Sequence, residues 1–159
     1  MKDIRDRIAM DDIELLQKTV LFRGSSREEL DLVVGLFQER KIQPNAAIFA
    51  EKMPAEALYI VRSGSVRITM MVGEGEEMGL LLLGPGEFFG ELALVHEDVR
   101  LVNARAETAV ELLLLTRKDF QALLEIEPRT GARVLKTIAK LLAMRVKAYN
   151  ERLKDLLLS

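Results

Sequence analysis

The chain has 159 residues, of which 49% are hydrophobic and 30% charged, and its net charge is -2. A single domain of this size can bury roughly two-thirds of the surface that its unfolded chain exposes. The chain is mildly acidic, whereas a nucleic-acid-binding domain usually has an excess of basic residues, so we expect no nucleic-acid partner.

Cysteine is absent, which excludes disulfides, iron–sulfur ligation and thiol chemistry. Residues 1–10 alternate charged and apolar side chains and do not form the apolar core of a signal peptide. The longest apolar runs, Leu80–Leu83 and Leu112–Leu115, are too short to span a bilayer. We expect a cytoplasmic protein without a membrane partner.

Two helices are predicted in residues 1–39. Between residues 11 and 20 the apolar side chains predict a short amphipathic helix: Ile13, Leu15, Leu16 and Val20. Ser26, followed three residues later by Glu29, is typical of a capping box at the start of a second helix. That helix carries apolar residues at helical spacing, namely Leu30, Val33, Val34 and Phe37.

Residues 40–116 are predicted to form a β-roll. Its most evident strands are Ala57–Arg62, Ser65–Val72, Met78–Leu83 and Val110–Thr116. Gly and Pro mark the turns between them, which is typical of a small antiparallel jelly-roll barrel. The segment Phe88–Leu94 breaks the strand pattern and predicts a turn that runs into a short helix.

Residues 117–159 are predicted to be helical again, with one helix over Arg117–Ile126 and a longer one opened by Pro128. The long helix has an apolar stripe formed by Leu135, Ile138, Leu142, Val146, Tyr149, Leu153 and Leu156. We expect its first half to pack on the barrel and its second half to extend beyond it. The predicted fold is one α+β, mainly β domain over residues 1–159: an antiparallel jelly-roll β-barrel flanked by N-terminal helices and a long C-terminal helix.

The stretch most informative about chemistry runs from Gly84 to Arg100 and reads GPGEFFGELALVHEDVR. A short helix that begins near Gly90 would aim free backbone N–H groups at an anion, and the missing side chain would permit close approach. Glu91 is suited to accept from a sugar hydroxyl, and Arg100 offers a forked charge that matches phosphate oxygens.

These residues resemble the phosphate-binding cassette of the cyclic-nucleotide-binding domain family, found in catabolite activator proteins, protein kinase A regulatory subunits and cyclic-nucleotide-gated channels. The cassette, expected over residues 88–103, has the core FGELAL followed by a spaced Arg100. Similarity extends to LYIVRSGSVRI at Leu58–Ile68 and to RAETAVELLLLTRKDF after the cassette.

The resemblance implies that Glu91 binds the ribose 2′-hydroxyl, that Arg100 binds the exocyclic phosphate oxygens, and that a residue of the last helix covers the base. Counting from the cassette arginine places the base-covering role on Arg145, whose guanidinium can stack on a purine. The full set of implied ligand-binding residues is Phe89, Gly90, Glu91, Leu92, Ala93, Arg100, Leu101, Val102 and Arg145.

This chain departs from the family pattern at several positions. Leu101 and Val102 follow the cassette arginine, where the family usually has Ser, Thr or Ala. In the family, a cGMP-selective site often has Thr directly after the arginine, so the absence of Thr here favours cAMP over cGMP. Asn45-Ala46 and Lys52 occupy two turns that usually contain Gly. Asn tolerates a left-handed backbone and Lys resists one.

Each site residue also has a purely structural interpretation. Arg100 could pair with Glu97 or Asp98 at the surface, Glu91 could be an acid favoured at a helix start, and Arg145 could be one charge on an exposed helix face. His96 is the only histidine, so we expect no metal site. We find no nucleophile–base pair, no P-loop and no dinucleotide fingerprint, and we do not expect an enzyme.

Three functions remain open. The first is a regulatory module that senses a cyclic nucleotide and closes the C-terminal helix over it. The second is the same fold without a ligand, serving to dimerise or to dock an effector protein. The third, a transcription regulator, needs a DNA-binding segment after the long helix, and we do not expect one. A homodimer through the C-terminal helix is expected.

Overall fold

A computed structural model describes residues 12–158. Residues 12–18 form helix α1. The remaining α-helices are α2 (Arg27–Val33), α3 (Arg117–Ile126) and α4 (Pro128–Leu158). Short 3-10 helices span Val20–Phe22, Val34–Leu36 and Glu91–Leu94.

Ten strands lie between α2 and α3 in the chain. They are β1 (Gln38–Ile42), β2 (Ala47–Phe49), β3 (Pro54–Ala55), β4 (Ala57–Ser63), β5 (Val66–Met71), β6 (Glu77–Leu83), β7 (Phe88–Phe89), β8 (Asp98–Val99), β9 (Asn103–Ala106) and β10 (Val110–Thr116).

The strands form two four-stranded antiparallel sheets, with orders β1-β10-β4-β7 and β2-β9-β5-β6, and a two-stranded ribbon of β3 and β8. The predicted antiparallel jelly roll is confirmed. The prediction of a barrel was wrong in one respect, because over the described residues the two sheets stay separate and pack as a sandwich.

The start of α2 follows the sequence signal. The Ser26 side chain accepts from the Glu29 amide, and the Glu29 carboxylate accepts from the Ser26 amide, so the capping box is formed. The helix ends earlier than the apolar spacing predicts, at Val33, and a 3-10 turn carries the chain into β1. The β region therefore begins at Gln38 and not at residue 40.

The apolar core consists of two clusters. One lies under the helices and joins residues such as Leu16, Leu30 and Phe120 to the outward face of β4 and β10. The other lies between the two sheets and includes Phe49, Tyr59 and neighbouring inward-facing residues. Successive side chains of β4 and β10 point alternately into one cluster and the other. These central strands are therefore buried on both faces.

Helix α4 has a buried first half and an exposed second half. Its buried residues are Thr130, Gly131, Val134 and Ile138. Leu135 was expected in the core and is instead exposed. The buried face of the helix runs through Gly131, Val134 and Ile138 and leaves Leu135 beside it. A side chain at Gly131 would come within 2.4 Å of Leu124 Cδ2, so the two helices approach closely there.

Residues 12–158 contain no helix that is both long enough and apolar enough to cross a membrane.

Both turns in which another residue replaces the expected glycine adopt a left-handed backbone, with φ of 67° at Asn45 and 71° at Lys52. The Lys52 amide donates to the Arg100 carbonyl at 2.8 Å, and the Arg100 amide donates to the Met53 carbonyl at 2.7 Å. The fold thus retains the turn and accepts the backbone strain at Lys52, because the turn holds the segment around Arg100.

We expect Lys52→Gly to raise the free energy of unfolding by about 0.5–1 kcal/mol, because relief of left-handed strain of roughly 1–2 kcal/mol outweighs the added entropy of the unfolded chain. Asn45→Gly is the matched control and should gain less, since Asn tolerates this region. Urea unfolding measures both. A loss of stability in Lys52→Gly would contradict the strain argument.

Candidate functional site

The short helix at Glu91–Leu94 begins at a glycine whose backbone is left-handed. Strand β7 brings the chain beside β4, and Gly90 then turns it with φ of 77°. The Ala93 amide donates to the Gly90 carbonyl at 3.2 Å. The amides of Glu91 and Leu92 therefore precede the first hydrogen-bonded turn, as a backbone anion site requires.

Arg100 lies between β8 and β9, and its side chain points into the protein. The residue is only 7% exposed, and its Nη2 donates to the Ala57 carbonyl at 2.7 Å. The alternative of a surface pairing fails, since Glu97 lies beside Arg117 and Asp98 beside His96.

An aromatic wall formed by Phe49, Tyr59 and Phe89 lies under Arg100. The guanidinium carbon of Arg100 is 4.1 Å from the ring centre of Phe49 and 5.7 Å from that of Tyr59. Tyr59 and Phe89 stack with their ring centres 5.2 Å apart. The wall holds the guanidinium by cation–π attraction without neutralising its charge.

The charge on Arg100 is incompletely compensated. Burial lowers the pKa of Arg100 below its usual value, and Tyr59, Glu56 and Glu91 act in the opposite direction. Within residues 12–158, Nε of Arg100 is buried and has no hydrogen-bond acceptor. A buried cation with a free N–H group is complementary to a small anion.

Gly90 and Arg100 are brought together by the fold. A side chain at Gly90 would place its Cβ 2.6 Å from Arg100 Nη1 and 3.1 Å from the Ala57 carbonyl oxygen. The glycine is therefore required both for its backbone conformation and for the space that the guanidinium occupies. Within the described residues, the glycine that starts the short helix and the guanidinium of Arg100 therefore lie side by side.

Glu91 is almost fully buried and faces helix α4. Its Oε1 lies 2.7 Å from Nη2 of Arg145, which is itself about half exposed. Within the described residues, Oε1 has no hydrogen-bond partner despite this short distance. We therefore treat the contact as an ion pair that leaves the carboxylate able to accept from another donor.

The other predicted site residues fall into two groups. Phe89 and Ala93 are buried, whereas the Leu92 side chain is exposed. Val102 packs against the core between the sheets. Leu101 is 72% exposed, so its side chain does not fill the space beside Arg100.

Metal ligation finds no support here. The His96 side chain is exposed beside Asp98, and in residues 12–158 no cluster of three His, Cys, Asp or Glu side chains could hold a metal ion.

Sequence reasoning missed the aromatic wall and the Ala57 carbonyl. Period-two alternation along β4 could have placed Ala57 and Tyr59 on one face. Nothing in the sequence indicates that this face meets an arginine more than 40 positions later.

A separate surface groove of about 730 Å³ lies between α1 and the β6–β7 turn and includes Glu14, Lys18, Arg62 and Glu87. Its arginine is already paired, since Arg62 contacts Asp12 at 2.7 Å and Glu39 at 2.9 Å. The groove thus lacks the uncompensated charge found at Arg100.

Comparison with known proteins places this geometry in context. The model of the cyclic nucleotide-binding domain matches residues 39–127. The chain is 41% identical over 127 residues to the Cyclic AMP receptor protein of Thermus thermophilus, covering 80% of this chain and 57% of the relative. The chain therefore spans little more than half the length of that protein.

Solved structures of related proteins have the same fold as this chain. The Thermus thermophilus catabolite activator protein superposes with a TM-score of 0.78 at 39% identity, over 87% of this chain and 63% of that one. The regulatory domain of Toxoplasma gondii protein kinase A, crystallised with cAMP, superposes with a TM-score of 0.67 at 30% identity, over 83% of this chain and 49% of that one. The chain belongs to the cyclic nucleotide-binding domain family.

Proposed function

We propose that this domain is a regulatory module that binds cAMP and reports binding through helix α4. The observation that carries the proposal is the buried guanidinium of Arg100, which has a free Nε beside the start of the Glu91–Leu94 helix. An anionic cyclic phosphate would supply the missing acceptor. A charge-assisted bond of this kind contributes about 1.5–3 kcal/mol.

Each neighbouring group has a role in this proposal. The amides of Glu91 and Leu92 and the guanidinium of Arg100 bind the phosphate. The Glu91 carboxylate accepts from the ribose 2′-hydroxyl. Arg145 leaves its ion pair with Glu91 and stacks on the base, so that α4 acts as a lid.

The preference for cAMP over cGMP rests on Leu101, which lacks the hydroxyl that the family uses to favour cGMP. The protein then acts by binding and not by catalysis. A cytoplasmic location and an unidentified effector protein stay predictions of the sequence.

The alternative is a fold without a ligand that serves for dimerisation or docking. The left-handed Lys52 and the apolar Leu101 favour it as signs of relaxed constraint. The exposed Leu101 side chain counts against it, because an occluded phosphate site needs a side chain inside.

Calorimetry tests ligand binding. We expect cAMP to bind with Kd near 1 μM, which corresponds to about -8 kcal/mol. Arg100→Ala should weaken binding by roughly 10- to 100-fold, through loss of charge-assisted bonds. Arg105→Ala is the matched control, because Arg105 is exposed on the adjoining strand and its side chain donates to the Asn45 carbonyl. Absence of heat with cAMP, cGMP and cyclic dinucleotides would favour the alternative.

The lid is tested by hydrogen exchange of residues 139–150. Ligand should change their protection in the native chain, because breaking the contact between Glu91 and Arg145 shifts the position of α4. Arg145→Ala should still bind cAMP to within about tenfold and lose this response. Arg152→Ala, two turns further along the helix and exposed, should respond like the native chain. An unchanged response in Arg145→Ala would refute the lid.

The exposed half of α4 supports a homodimer. Leu142, Val146, Tyr149 and Leu153 are all exposed or at the edge of exposure and alternate spacings of four and three, which is the repeat of a coiled-coil seam. We expect light scattering to give twice the 17.9 kDa chain mass. Leu153→Glu should give monomer, and Lys154→Glu, its exposed neighbour off the seam, should not. A native monomer at high micromolar concentration would exclude this dimer.

A further inference from the structure

Arg117 makes an unusual set of contacts for the first residue of a helix. Its Nη1 lies 3.0 Å from the carbonyl oxygens of both Ala55 and Ala93, and 3.5 Å from that of His96. Its backbone amide donates to the Glu56 carbonyl at 2.9 Å. One residue of α3 thus binds the backbone of two separate segments.

The first segment is Ala55–Ala57, which lies beside the candidate anion site because the Ala57 carbonyl accepts from Arg100. Arg117 holds the carbonyls of Ala55 and Glu56, and the next carbonyl, that of Ala57, accepts from Arg100. The two arginines therefore contact three consecutive carbonyls of the same strand junction. Movement of this junction would displace the acceptor that orients Arg100.

The second segment is the short helix of the cassette. Arg117 donates to Ala93, which is buried and whose own amide closes the first turn of that helix on Gly90. A cation at the carboxyl end of this turn satisfies a carbonyl and fixes the direction of the amides at its other end. The guanidinium reaches both segments because Nη1 alone carries two N–H groups, enough for the carbonyls of both Ala55 and Ala93.

We propose that Arg117 is a positioning residue. It holds the Ala55–Ala57 segment and the Glu91–Leu94 helix in a fixed relative position and attaches both to α3. Since α3 packs on α4, the same contacts link the ligand site to the C-terminal helix. The effect on ligand affinity rests on the proposed function, whereas the effect on the cassette backbone does not.

Hydrogen exchange without ligand tests the backbone claim first. In Arg117→Ala we expect amide exchange over residues 91–97 to accelerate about tenfold, with α2 unchanged, because local opening of the cassette becomes easier. Lys118→Ala is the matched control, since Lys118 is the next residue, carries the same charge and is exposed. It should leave the cassette unchanged.

Binding of cAMP is the second measurement. Arg117→Ala should weaken it about tenfold, equal to about 1.4 kcal/mol, with Arg100 still in place. Arg117→Lys should bind cAMP with an affinity between those of the native chain and Arg117→Ala, because its shorter side chain keeps the charge but does not reach the position from which Nη1 contacts both carbonyls. If the alanine variant does not fold, the lysine variant is measured alone by both methods.

The outcomes separate the two proposals. Faster exchange confined to the cassette supports the positioning role even if the native chain binds no cAMP, which would refute only the proposed function. Uniformly faster exchange across the protein would show that Arg117 contributes general stability alone. Native exchange in the cassette would show that Arg117 does not position it. Either result would overturn the inference.

Discussion

The site depends on a guanidinium that is buried without a matching anion. Removing a charged group from water costs several kcal/mol in the absence of partners. Arg100 recovers part of this cost from the faces of Phe49 and Tyr59 and from the Ala57 carbonyl. Its free Nε and lowered pKa show that the compensation is partial. A ligand phosphate is the natural complement of a cation held in this state.

Much of the surrounding structure serves to keep this cation in place. The left-handed turn at Lys52 fixes the backbone of Arg100 through two hydrogen bonds, and Gly90 leaves the space that the guanidinium fills. The two hydrogen bonds hold the turn and thereby keep Lys52 in its left-handed conformation. Strain of this kind is expected where the surrounding structure over-determines a residue.

In the part of the chain that the structure describes, two charged contacts join helix α4 to the rest of the domain. Near its start, Arg133 lies 2.6 Å from Glu29, whose pKa is lowered chiefly by the hydrogen bond from that arginine. Further along, Arg145 meets the buried Glu91. The first contact lies far from the cassette and the second lies in it. In the proposed function, a ligand that competes for Glu91 would act on the outer part of the helix, while the contact between Arg133 and Glu29 holds its first turns.

Local sequence determined several of the elements. The capping residues Ser26 and Glu29, the helix breaks around Pro128 and the residues of β10 all follow from short-range propensity and spacing, and the FGELAL core with a spaced arginine indicated the family. These features depend on residues close together in the chain. Tertiary structure alone decided the separation of the two sheets, the aromatic wall beneath Arg100 and the pairing of Glu91 with Arg145. Each joins residues tens of positions apart, and only the packing of the sheets and helices sets which side chains meet.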